Sequence, residues 1–236
     1  MKIALIGYGK MGKEIEEVAI SRGHEIVFKA SEAITTSTVG LEDADVAIEF
    51  SQPHAAADNI LECFKRKVPV VVGTTGWYGR LNEVKDACHE NNGAVLYSTN
   101  FSIGVNIVFH INEILGKLMN ELDEYDPSIL EIHHIHKLDK PSGTAITMAE
   151  GILSTVSRKK EWINEPSDAT EHLTITSERT DEVPGTHTIS YESSVDKIEL
   201  THIAKSRKGF ALGAVKGAEW LFGKTGTYSM CDFLKF

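Results

Sequence analysis

The sequence predicts an α/β protein: a doubly wound parallel sheet joined to a smaller α+β part with a mixed sheet. Three observations predict it. Short β-branched apolar runs alternate with amphipathic stretches through the first hundred residues, and a glycine-rich turn joins the first run to the first stretch. Beyond residue 170, segments of alternating polar and apolar residues follow one another without helices between them.

In order, "KIALIG" is a strand buried on both faces. "KMGKEIEEVAISRG" has helical spacing, with Met11, Ile15, Val18 and Ala19 on one stripe and Gly23 as the stop, and "HEIVFKA" is the next strand. Strand "DVAIEFS" leads to helix "HAAADNILECFKRK", capped by Ser51 or Gln52 with Pro53 in its first turn. Strand "VPVVVG", turn "TTG", helix "RLNEVKDACHENN" and strand "AVLYST" follow. Parallel strands need crossover connections, and the helices supply them. After Asn100 the rhythm changes to a longer helix, "NIVFHINEILGKLMNEL", a strand, "SILEIHHIH", and a helix, "SGTAITMAEGILSTV". "HLTITSER", "THTISYES" and "KIELTHIAKS" read as an antiparallel or mixed sheet with one wetter face, and "GAVKGAEWLFGKTGTYSMCDFL" as a helix with a tail. No linker is visible, so a second domain is entered and left through short connections.

The 236 residues suffice for one domain or two small ones. A formal net charge of −10 argues against nucleic acid, whose phosphates would be repelled. Cys63, Cys88 and Cys231 are far apart and odd in number, which suggests reduced packing residues in a cytoplasmic protein. The opening apolar run is too short for a signal peptide, and no apolar stretch approaches the roughly 18 residues of a spanning helix. A soluble protein without a membrane partner is expected.

"GYGKMG" places Gly7, Gly9 and Gly12 in a G-x-G-x-x-G between strand and helix, with Tyr8, Lys10 and Met11 completing the turn. A Rossmann-like dinucleotide site needs one glycine for the turn, one for approach of the pyrophosphate and one for helix–sheet packing. The alternative is merely a tight turn. Where a ribose-binding acid should close the second strand, the chain has Lys29 and Ser31, with Glu32 slightly late. Lys29 would tolerate a 2′-phosphate, so NADPH is expected to be usable; as a solvated loop cation it would select nothing, and NADPH and NADH both stay open. Phe50, Gly73, Thr74 and Thr75 follow parallel strands and either line the nicotinamide or serve as ordinary turn residues.

The densest chemistry is "EIHHIHKLDKPSGTA", residues 131–145. In a strand, Glu131, His133 and Ile135 share one face and Ile132, His134 and His136 the other. Fully extended, residues 133 and 137 lie about 13 Å apart, so either the strand ends by His136 or His133 and Lys137 do different jobs. Ser142, Gly143 and Thr144 open a helix whose N-terminus suits a carboxylate, beside histidines able to move protons. Structural readings compete: His134 and His136 as zinc ligands, though without a third at convincing spacing, so no metal is expected; satisfied strand histidines; Lys137 as an edge lysine; Ser142 as an N-cap only.

This segment, with "GYGKMG", "EFSQPHA", "VVGTTG", "NFSIGVN", "ELTHIAKSRKGFALGAVKGAEWL" and "GTYSMCDFL", resembles the 4-hydroxy-tetrahydrodipicolinate reductase (dihydrodipicolinate reductase) family over nearly the whole chain. The resemblance implies a Rossmann-like dinucleotide domain at 1–101 with 212–236, and a substrate domain at 102–211 whose sheet builds a homotetramer. It implies NADPH or NADH as cofactor and a small cyclic dicarboxylate as substrate, in lysine and diaminopimelate biosynthesis. By motif match, His133 and Lys137 are the proton donors, and His134 with Ser142, Gly143 and Thr144 binds substrate. Ser98, Thr99, Asn100 and Phe101, like Gly73 to Thr75, match cofactor-contacting turns. The glycine loop is one residue shorter than the common G-x-x-G-x-x-G form, and Ser31 stands where many members carry the ribose-binding acid, so nucleotide preference does not carry over. Readings of another class are an oxidoreductase of an amino-acid semialdehyde and a non-catalytic dinucleotide sensor, the latter having no need of the His-Lys-SGT segment.

Overall fold

The computed structural model describes residues 1–31 and 33–236; Glu32, the late candidate for the ribose acid, lies outside them. The chain divides into two compact units, Met1–Ile103 with Lys208–Phe236, and Gly104–Arg207.

The first unit opens with β1 (Lys2–Ile6), α1 (Lys10–Ser21), β2 (Glu25–Ala30), β3 (Val46–Glu49), α2 (Pro53–Lys65), β4 (Val70–Val72), α3 (Leu81–Glu90) and β5 (Ala94–Tyr97). The chain then runs through α4 (Ile103–Met119), β6 (Asp126–His133), α5 (Gly143–Leu153), β7 (Glu161–Ile163), β8 (His172–Arg179), β9 (Thr186–Glu192) and β10 (Lys197–Ile203). It returns to the first unit as α6 (Lys208–Leu221), β11 (Gly226–Tyr228) and α7 (Met230–Leu234).

The six-stranded sheet has the order β11-β5-β4-β3-β1-β2, with every pair parallel. Alternate residues of each strand feed opposite layers. Ala4, Ile6, Ala47, Val70, Val72 and Val95 pack beneath α2 and α3. Ile3, Leu5, Val46, Ile48, Val71 and Leu96 pack beneath α1 and α6. Strands buried on both faces must be apolar at every position, and this is why they read as continuous runs rather than alternations. Of the stripe on α1, Ile15 and Ala19 are buried, while Met11 and Val18 pack partly against the same layer. Gln52 holds the N-cap position of α2 without a side-chain hydrogen bond, and Pro53 follows it in the first turn.

The five-stranded sheet of the second unit is mixed, in the order β10-β9-β6-β8-β7. β6 lies parallel to β8 and antiparallel to β9. Its core joins Val108 and Met119 of α4, Met148 and Ile152 of α5, and Ile129, Ile175, Ile189 and Tyr191 of the sheet.

Three expectations are corrected. β7 and β11, of three residues each, carry too short a pattern to be read as strands in advance. The strand expected at 128–136 stops at His133, because His134 accepts a hydrogen bond from the Lys137 N–H (3.1 Å) and the backbone turns there. Cys231 is exposed on α7 and is not a packing residue, whereas Cys63 and Cys88 are buried. Among the described residues no helix is long and apolar enough to cross a membrane.

α6 lies against the sheet through small residues, and at Gly213 a Cβ would run into the carbonyl oxygen of Phe101. Gly→Ala in a helix normally adds about 1 kcal/mol. Here overpacking should reverse the sign: Gly213→Ala is expected to cost about 1–3 kcal/mol, read as a lower urea midpoint at unchanged m.

Candidate active site

In the first unit the strand order reverses between β1, which pairs with β2 on one side, and β3 on the other. A crevice forms outside the carboxyl ends of such strands. Gly7 leaves β1 with φ +92°, and its N–H donates to the carbonyl of Ala30 (2.8 Å). A Cβ on Gly7 would collide with the carbonyl oxygen of Phe50, and one on Gly12 with that of Gly7. Gly9, by contrast, faces open space and occupies the N-cap of α1, where no side chain caps the helix and no acidic residue lies in the first turn. The three glycines therefore have separate jobs, and the uncapped N-terminus fits a pyrophosphate. Met11, Phe50, Pro53, Gly73, Thr74 and Thr75 line a cleft of about 250 Å³ beside this turn. The Phe50 ring fills the space that a Cβ on Gly73 would take.

Glu49, at the end of β3, went unnoticed in the sequence because it sits inside an apolar run. It is fully buried and bonded to Ser51 and to Asn59 Nδ2 (3.2 Å), while Thr74 Oγ1 accepts from the Ser51 N–H (2.8 Å). Burial raises its pKa, and the bonds from Ser51, Thr74 and Asn59 oppose that. Glu49 thus ties together the turns after β3 and β4 that carry Phe50 and Thr74.

Lys29 is exposed, on a strand rather than a loop, and partnered. Its ammonium pairs with Glu16 of α1, lies 3.5 Å from the Tyr8 hydroxyl and sits over the Tyr8 ring, 4.8 Å from the centroid. Of the turn after β5, Thr99 is exposed, while the Ser98 hydroxyl donates to the Asn100 carbonyl (2.8 Å). Phe101 is 2% exposed in the core, so its side chain is a packing group rather than a cofactor contact. Lys10 is exposed at the start of α1.

In the second unit β6 delivers Glu131 and His133 to one buried face. The Glu131 carboxylate faces His133 Nδ1 through one oxygen and accepts from Arg179 Nη2 (3.0 Å) through the other. Burial works against its charge, but His133, Ser177 and Arg179 outweigh burial and hold its pKa at about 2. An ionised carboxylate at Nδ1 requires the proton there, which leaves Nε2 as the reactive nitrogen of His133. A Cβ at Gly185 would stand 3.0 Å from that nitrogen, so the glycine keeps it uncrowded.

His187, on β9, lies edge-on to His133 with ring centroids 4.9 Å apart, and its Nε2 is 3.1 Å from Ser142 Oγ. Desolvation, reinforced by His133, lowers its pKa to about 4, so it is neutral at neutral pH. Ser142 also accepts from the Ala145 N–H (3.2 Å) as the N-cap of α5 and is 2% exposed. Its hydroxyl is thus engaged with the cap and with His187, while Gly143 is exposed and Thr144 half-buried at the start of α5.

The turn after β6 is tied down by Arg179, which donates to the carbonyls of Lys137 (3.3 Å) and Asp139 (2.6 Å) as well as to Glu131. Lys137 Nζ lies 2.8 Å from both oxygens of Asp139, and His136 pairs with Glu182. Lys137 and His136 thus each face a carboxylate, and His133 and Arg179 share Glu131. His134 and His136 left the strand together, with rings 6.2 Å apart. Glu131, His133 and His187 have ligand-type atoms within 4.8 Å of one another. Arg179 pairs with one carboxylate oxygen and His133 faces the other, while Ser142 meets His187 Nε2 and His187 Nδ1 is buried without a hydrogen-bond partner. Arg179 and His187 were missed because 42 or more residues separate them from Lys137 and Ser142; only the pairing of β6 with β8 and β9 brings them close.

A glycine turn at a sheet's switch point, and a separate unit carrying a histidine–carboxylate pair beside a helix N-terminus, define a dinucleotide-dependent oxidoreductase. Family models described as the N-terminus and C-terminus of dihydrodipicolinate reductase match residues 1–101 and 104–234. The 4-hydroxy-tetrahydrodipicolinate reductase of Christiangramia forsetii is 50% identical, covering 99% of this chain and 98% of its own. That of Neisseria gonorrhoeae is 34% identical over 93% and 83%. A dipicolinate-bound dihydrodipicolinate reductase from Paenisporosarcina sp. TG-14 superposes with a TM-score of 0.80 at 20% identity, over 99% of each chain. The chain belongs to the dihydrodipicolinate reductase family.

The depressed pKa of His187 has a sign that can be checked. A histidine held neutral below its unfolded pKa of about 6.5 contributes stability that is complete above that value and is lost as pH falls toward 4. In His187→Gln, the fall in urea midpoint between pH 7.5 and 5 should be visibly smaller than in the wild type; equal falls would show that His187 carries none of it.

Proposed function

We propose that this chain reduces 4-hydroxy-tetrahydrodipicolinate with NAD(P)H and a proton, giving tetrahydrodipicolinate, NAD(P)⁺ and water, in lysine and diaminopimelate biosynthesis. The observation that carries the reading is the buried Glu131–His133 pair beside the N-terminus of α5, in a chain half identical to a reductase of that name.

Gly9 and the N-terminus of α1 would hold the pyrophosphate, and the cleft at Phe50, Gly73 and Thr75 the nicotinamide, which when bound supplies the hydride. The substrate is a cyclic imine with two carboxylates, and loss of water gives a conjugated C=C–C=N system that takes hydride at carbon. Gly143 and Thr144 at the start of α5 bind one carboxylate, and His134 assists. His133 holds the proton to be moved on Nε2, since Glu131 keeps Nδ1 protonated. Neutral His187 fixes the ring from the side without adding charge. Lys137 donates the second proton or stabilises negative charge developing in the ring, which requires that it exchange Asp139 for the substrate.

A sheet-built homotetramer and a cytoplasmic location belong to the same proposal. β10, at the edge of its sheet, exposes Ile198 and Ile203, which suits association with another copy, and light scattering would give the assembly state.

Substrate made in situ from aspartate semialdehyde and pyruvate by the preceding synthase should give nicotinamide absorbance decay that depends on this chain. His133→Ala and Lys137→Ala are expected to lower kcat by about 10²–10⁴-fold, as loss of general acid catalysis does; wild-type kcat in both would refute their roles. Thr144→Val should raise KM with kcat nearly intact, and an unchanged KM would remove the carboxylate contact.

A further inference from the structure

The glycine turn, β2 and α1 meet in a cluster that the mechanism above does not use. Lys29 is the penultimate residue of β2, where dinucleotide folds meet the adenosine ribose. Tyr8 lies inside the glycine turn, and its hydroxyl donates to Glu16 Oε2, while Oε1 of the same carboxylate takes the Lys29 ammonium. Glu16 is the more buried partner, at 17% side-chain exposure against 41% for Lys29, and is therefore the fixed member of the pair. Lys29 and Tyr8 hold its carboxyl below the usual carboxylate range, so it is charged at neutral pH.

Resting on the dinucleotide reading of this unit, we propose that Glu16 is the specificity-determining residue for the nucleotide: it neutralises Lys29 and places a negative charge where a 2′-phosphate would arrive. A ribose with a free 2′-hydroxyl meets no penalty from this carboxylate. A 2′-phosphate must both break the Glu16–Lys29 pair and approach Glu16 itself. Partly exposed charges interact modestly, so the two effects together amount to about tenfold discrimination rather than exclusion.

The test is the ratio of dissociation constants for NADPH and NADH, measured without substrate by nucleotide fluorescence in the full chain and in Glu16→Gln, Lys29→Ala and the double variant. Glu16→Gln should shift the ratio about tenfold toward NADPH. The double variant should keep only part of that gain, because relief of the repulsion survives without Lys29 while the freed lysine is lost. An unchanged ratio in Glu16→Gln overturns the proposal, and so does a gain that survives undiminished in the double variant. Because the readout is binding, a shifted ratio in a chain that fails to turn over the dicarboxylate would sustain this proposal while defeating the assigned reaction.

Discussion

A carboxylate with no solvent exposure must be paired or protonated, and the site of the second unit is arranged so that Glu131 remains an anion. Its partners come from two strands: His133 two residues along β6 itself, and Ser177 and Arg179 from the end of the parallel neighbour β8. Once fixed, the anion decides the rest. It sets which nitrogen of His133 carries the resting proton, and it anchors the guanidinium that holds the backbone at Lys137 and Asp139. One buried charge thus orients the histidine and the turn that carries the lysine.

The first unit depends on a steric constraint rather than a charge. At the switch point the turns after β1 and β3 approach so closely that Gly7 has no room for a Cβ, and the turns after β3 and β4 are bridged by buried Glu49. Gly9, at the N-cap of α1, has no side chain to cap the helix and faces open space. A helix end with unpaired N–H groups, held beside a narrow cleft, is where a phosphate is stabilised without any fixed cation. An acidic protein can therefore bind an anionic nucleotide without a basic surface. The reaction proposed for this chain would use the same device twice, at α1 for the nucleotide and at α5 for a substrate carboxylate.

Much of this was legible beforehand. The parallel sheet showed in runs such as "KIALIG" and "VPVVVG", because strands buried on both faces have no freedom to be polar. The glycine turn and the start of α5 at Ser142 were equally local, fixed by backbone geometry within a few residues, whereas the end of β6 at His133, ahead of His134 and His136, was not. What stayed hidden was partnership. The sequence shows Lys29 and Lys137 as cations but not the carboxylates of Glu16 and Asp139 that neutralise them, and it shows Ser142 as a candidate ligand or helix cap but not its bond to His187.

The sequence by itself determined the fold class and the position of both helix N-termini, because these follow from periodicity, glycine placement and motif over short spans. Only the tertiary structure decided that His133 answers to Glu131 and Arg179, that His187 stands neutral beside it and that Lys29 is already paired. The reason is physical: the protonation and charge of a side chain are set by whatever lies within a few ångströms of it, and strand pairing brings there residues far apart along the chain.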